Sequence, residues 1–203
     1  MAKEKTLWEG DDGEREKFFA EMGRCISFWS LVEAQIEKSF HRVTQMDAEL
    51  ARRIFYSTAG FEPRIRMLLA AMKDARIEPE RKGFLKKLIE KAEIYSVTRN
   101  RIVHGNVIYL ADARSKFNGQ YVIVQGRDAP NSNPPEAEVL TKENLIKAAI
   151  SFGLLAQCFI PVFEGDGKAP GKFPNKYAGL LQRLPVPAQA RWVEAGLADR
   201  LPG

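Results

Sequence analysis

Residues 79–105 read PERKGFLKKLIEKAEIYSVTRNRIVHG. Apolar side chains recur at Phe84, Leu85, Leu88, Ala92, Tyr95, Ile102 and Val103, the three- and four-residue steps that draw one stripe along a helix. Pro79 suits a first helical position, where no amide hydrogen is needed. Gly105 stands where a left-handed residue would close the helix. Arg99 interrupts the stripe, on the same side as Leu88, Ala92, Tyr95 and Val103. Burying an unpaired guanidinium costs roughly several kcal/mol, so Arg99 needs a partner or a cleft.

Working outward, an upstream helix begins near Asp11 or Asp12, where Asp11 and Glu14 have the spacing of a capping box. Its apolar positions are Phe18, Met22, Cys25, Ile26, Trp29, Val32, Ile36, Phe40 and Val43. Glu33 falls within that stripe and is a candidate partner for Arg99 across the two helices. A second helix carries Leu50, Ile54, Thr58, Phe61, Ile65, Leu68, Leu69 and Met72, and Gly60 and Pro63 predict a kink within it. Val107–Leu110 and Tyr121–Val124 are β-rich, and Asn118-Gly119 is a turn pair, which predicts a two-stranded hairpin. Thr141 caps a last helix over Leu145–Phe163 that is apolar on most sides, as in a bundle core or subunit interface. The expected fold is therefore mainly α. It is a four-helix bundle over residues 1–164 with a β-hairpin insert near 106–126, between the third and fourth long helices. Residues 165–203 read as a Gly/Pro linker and a short C-terminal extension that packs on the domain or a partner.

The composition limits the function classes. The chain has 203 residues, 45% of them hydrophobic and 28% charged, so it can bury a core and remain soluble. The net charge of +5 permits a polyanionic partner without requiring one. Cys25 and Cys158 read as small buried hydrophobes of a reducing compartment. Two cysteines and two histidines do not give zinc-ligand spacing, and no phosphate-binding glycine loop, nucleophile elbow or His-Glu zinc helix occurs. No metal and no cofactor is expected. The N-terminus lacks the apolar core of a secretory signal, and residues 148–163 fall short of the ~20 needed for a bilayer. The expected location is the cytoplasm.

His104 follows Arg99 by five positions, about 140° around an unbroken helix. The two share a face of one chain only if the helix ends and turns. Lys86, Lys87, Lys91 and Arg101 lie roughly opposite Arg99 and read as a solvated face or an RNA-backbone track. Arg114 and Lys116 sit in the hairpin loop.

The run Arg99-Asn100-Arg101-Ile102-Val103-His104-Gly105 resembles the signature of the HEPN superfamily, an arginine followed by a polar residue and, four to six positions on, a histidine near a helix end. The resemblance covers about residues 18–163, and the hairpin departs from a bare bundle. It implies a metal-independent endoribonuclease, often a toxin or defence effector, with Arg99, Asn100 and His104 catalytic and Glu33 positioning Arg99. Arg101, Arg114 and Lys116 would bind substrate. It also implies a homodimer whose two motifs face one cleft, RNA as a partner, and a separate antitoxin protein. Members of the family also serve as non-catalytic interaction or scaffold modules. In that alternative, Arg99 and Glu33 form a structural ion pair.

Overall fold

A computed structural model describes residues 11–111, 113–124 and 139–163. The expected Gly/Pro linker and the C-terminal extension lie outside the described residues. Five helices and three strands follow in the order α1 (Asp12–Thr44), α2 (Ala48–Ser57), α3 (Phe61–Asp74), α4 (Pro79–His104), β1 (Asn106–Leu110), β2 (Gln120–Val124), β3 (Val139–Leu140) and α5 (Lys142–Phe163). The protein is mainly helical, with a small antiparallel sheet.

The helices form where the apolar spacing places them. In α1 the buried apolar positions are Phe18, Cys25, Trp29, Val32, Ile36, Phe40 and Val43, whereas Ile26, expected in the stripe, is exposed. Asp11 Oδ1 accepts from the Gly13 amide at 3.0 Å, so the aspartate half of the anticipated cap is present. Glu14 instead binds Lys17 and Lys142. Gln45, in a left-handed conformation at φ 54°, ends α1. Asp47 then caps α2, its carboxylate accepting from the Glu49 and Leu50 amides at 3.0 and 3.1 Å.

The segment expected to be one kinked helix is two. Thr58 is extended, and Gly60 takes φ 86°, which disfavours any residue with a Cβ. Pro63 then fits the first turn of α3, where its missing N–H removes no helical bond. Arg64 holds the break in shape. Its Nε donates to the Thr58 carbonyl at 3.0 Å, and its guanidinium stacks on Phe55 and Tyr56 at 5.6 and 5.0 Å.

The sheet has the order β1-β2-β3, one strand more than the expected hairpin. The register pairs Val107 with Ile123 and Tyr109 with Tyr121. β3 adds through Ile123↔Leu140 and Val124↔Val139. Asn118-Gly119 is not a two-residue hairpin turn, because residues 111–119 separate the strands. Ser115 Oγ accepts from the Phe117 amide at 3.2 Å, and Gly119, at φ 76°, donates to the Leu110 carbonyl at 2.7 Å. The loop thereby turns Phe117 onto Leu110, Val122, Val124 and Val139, a core of the sheet's own.

The described residues fall into two compact units. One contains residues 11–27, 97–111, 113–124 and 139–150, and the other 28–96 and 151–163. The second has an aromatic centre: Trp29 lies 5.0 Å from Phe61 and 5.2 Å from Phe152, and Phe152 lies 5.8 Å from Tyr95. There Pro161 occupies the last turn of α5, and Arg81 donates to the Val162 carbonyl at 3.1 Å, serving an acceptor the helix end leaves open. α5 is long and apolar enough to cross a membrane, yet it is mostly buried, which fits the core helix of a soluble protein.

Candidate functional site

The C-terminal end of α4 carries the arginine–histidine run. Its buried line continues through Ile94, Tyr95 and Thr98 to Arg101 and Ile102. Arg99 is half-buried, whereas Asn100, Val103 and His104 are exposed. Val103, expected in the stripe, is 41% exposed. The Arg99 guanidinium donates through Nη1 to Asn100 Oδ1 at 3.0 Å. The arginine and its polar neighbour thus form one hydrogen-bonded unit. His104 is the last residue of α4, and one residue later the chain enters β1.

Gly105 makes this ending possible, for a reason other than the one expected. It does not adopt a left-handed conformation; the positive-φ glycines among the described residues are Gly60 and Gly119. A Cβ at Gly105 would overlap Ile123 Cγ2 and stand 2.6 Å from the Arg101 carbonyl and 3.1 Å from that of Val124. Glycine is needed so that the helix end can meet β2. The Gly105 amide donates to the Arg101 carbonyl at 2.9 Å, and the helix closes there.

Arg101 is the second departure. Expected on the solvated face, it is only 8% exposed, with Nε sealed from solvent. So enclosed a guanidinium offers a phosphate little surface. Lys86 and Lys87 are exposed as expected. Arg114 and Lys116 are exposed in the β1–β2 loop, with the Lys116 ammonium 5.0 Å from the Phe117 ring.

Glu33 belongs to the second unit and Arg99 to the first. Within its unit Glu33 accepts from Trp29 Nε1 at 2.7 Å and pairs with Arg64 at 3.7 Å. Arg64 is one charged partner of Glu33, and helical spacing does not predict it, because the α2–α3 break turns Arg64 inward.

The first unit also holds a cleft that no sequence spacing predicts. Glu14, Phe18, Gly119, Gln120, Tyr121, Lys142 and Glu143 line it. Lys142 and Lys17 each hydrogen-bond the Glu14 carboxylate, at 2.7 and 2.8 Å, and hold its pKa down at about 2. Glu143, in the first turn of α5, is held below the ordinary carboxylate value by its own amide and the Thr141 hydroxyl. Thr141 and Asn144 cap α5 reciprocally, amide to side chain, at 2.9 and 3.4 Å. Among the described residues no group of three His, Cys, Asp or Glu side chains could hold a metal ion.

No protein-family model, curated protein or solved structure matches this chain.

Proposed function

We propose that the chain is a metal-independent endoribonuclease of the HEPN type, a toxin or defence effector of the cytoplasm that acts as a homodimer. The supporting observation is the end of α4, where an arginine hydrogen-bonded to its asparagine neighbour stands five residues before an exposed terminal histidine. A four-helix HEPN bundle is the architecture this reading takes for the helices.

Cleavage of an RNA strand without a metal needs a base for the 2′-hydroxyl proton, an acid for the leaving 5′-oxygen and positive charge at phosphorus. One His104 imidazole takes the 2′-hydroxyl proton. The 2′-oxygen bonds to phosphorus while the bond to the 5′-oxygen breaks. A second His104, from the other copy of the chain, gives its proton to that 5′-oxygen, leaving a 2′,3′-cyclic phosphate and a 5′-hydroxyl. Arg99 presents its planar fork to the non-bridging oxygens, and Asn100 holds the fork in place. Arg114 and Lys116 take neighbouring phosphates. A separate antitoxin would mask this surface.

Purified chain incubated with mixed RNA in EDTA tests the proposal. The wild type is expected to cut, and His104→Ala and Arg99→Ala to lose about a hundredfold or more in rate. An inert wild type, or undiminished cutting by His104→Ala, would overturn it. The burial of Arg101 favours a second reading, a non-catalytic helical interaction module whose cations serve packing. On that reading RNA stays intact and Arg99 contributes only to stability.

A further inference from the structure

The cleft between the starts of α1, β2 and α5 has a composition suited to one ligand class. Its volume is about 220 Å³. That is below the roughly 300–1,000 Å³ typical of drug-sized pockets, so it suits a single heterocycle and not a peptide or oligosaccharide. Phe18 and Tyr121 are among its lining residues, largely buried and with ring centroids 6.2 Å apart, and Tyr109 lies 5.0 Å from Tyr121.

The polar groups are of two kinds. Lys142 is fixed by Glu14 at 2.7 Å, and an ammonium has three donors, so two remain for a ligand. Both oxygens of Glu14 are engaged, one by Lys142 and one by Lys17. Glu143 is exposed; its carboxylate accepts from its own amide and the Thr141 hydroxyl, and two oxygens with about four lone-pair sites leave room for further donors. The matching ligand is a flat ring with two adjacent donors for a carboxylate and acceptors for an ammonium.

An unpaired guanine presents N1–H and N2–H2 side by side, with O6 and N7 as acceptors. The other bases do not. Adenine would turn the N1 lone pair toward the carboxylate, cytosine its N3 lone pair, and uracil the carbonyls flanking its one N–H. The geometry points to this cleft as a binding site for an unpaired guanine base, with Glu143 accepting from its Watson–Crick edge and Lys142 donating to O6 or N7. Its role, choosing the guanosine at which RNA is engaged, rests on the ribonuclease reading. The binding does not.

Titration calorimetry of the full chain with the four ribonucleoside 5′-monophosphates tests the site. The guanine nucleotide is expected to bind about tenfold or more tightly than the others, the worth of one good two-point base contact. Glu143→Gln, an isosteric change at an exposed position, should erase that preference, and Glu16→Gln should not, with circular dichroism checking that both variants fold. A short strand with one guanosine, made uncleavable by a 2′-deoxy sugar at that nucleotide, separates the two sources of the base. Binding of the strand alone assigns the site to RNA, and binding of the mononucleotide alone assigns it to a free nucleotide. Equal affinity for all four bases, no binding of either probe, or a preference that survives in Glu143→Gln overturns the inference. Cleavage without guanine binding would sink the site and leave the ribonuclease reading. Guanine binding by a chain that cuts no RNA would do the reverse.

Discussion

Gly105 and Ile123 approach so closely that a Cβ on the glycine would overlap Ile123 Cγ2, and the Arg101 carbonyl 2.6 Å away blocks retreat. Two of the obstructing atoms are backbone carbonyl oxygens, which a rotamer change does not move. Gly105→Ala should therefore cost about 1–3 kcal/mol, as overpacking does, and displace the His104 end of α4. Urea unfolding of the variant checks this. Wild-type stability would show that the helix end and β2 can separate freely.

Arg64 joins three helices through one side chain, and truncating it should be costly. Arg64→Ala loses a charged hydrogen bond to Thr58, the Glu33 pair and two ring contacts, together about 2 kcal/mol or more. Arg64→Lys keeps the charge but not the planar fork, and should recover less than half of the loss. Equal stability of the lysine variant and the wild type, by chemical denaturation, would contradict this account.

Glu14 sets an acid limit. Its carboxyl falls from an ordinary 4.5 to about 2 because Lys142 and Lys17 bind the ionised form. The depressed folded value means this contribution is complete above about pH 4.5 and is lost as pH falls toward 2. The stability difference between wild type and Glu14→Gln should follow that window. A difference that stays constant from pH 5 to pH 2 would rule out the assigned pairs.

The two thiols should be silent in the folded protein. Burial pushes Cys25 up to about 12, with the Glu21 charge adding to it, and burial alone pushes Cys158 up to about 11. Thiolate is the nucleophile, so neither should react with a thiol reagent at neutral pH until the chain is denatured. Rapid labelling of either cysteine in the native state would contradict their burial.

Much of this structure could be read from local spacing. The limits of α4 follow from Pro79 and Gly105, those of α1 from its apolar steps, and β1 and β2 from two short β-rich runs. The failures share a cause. The break between α2 and α3 is concealed because the apolar period continues across Thr58 and Phe61, and only the conformations of Thr58 and Gly60 interrupt it. Arg101 was placed outside because a helical wheel has no sheet, whereas the end of α4 meets β2. Gly105 was recognised as necessary for a turn, but its neighbour, Ile123, is 18 positions away in sequence. At the candidate site, Arg99 and Asn100 are neighbours in the motif, but their hydrogen bond to each other does not follow from spacing. The guanine cleft is assembled from three separate segments, and no spacing rule joins Phe18 to Tyr121 and Lys142.

Trp29 is the sole tryptophan among the described residues, with its indole N–H given to Glu33 and its ring set between Phe61 and Phe152. Its ultraviolet emission therefore reads whether α1, α3 and α5 are together in the second unit. The guanine cleft and the histidine end of α4 belong to the first, whose described residues include Tyr109 and Tyr121. The chain also carries Trp8 and Trp192, so replacing both by phenylalanine would leave the Trp29 emission as a report on the second unit alone.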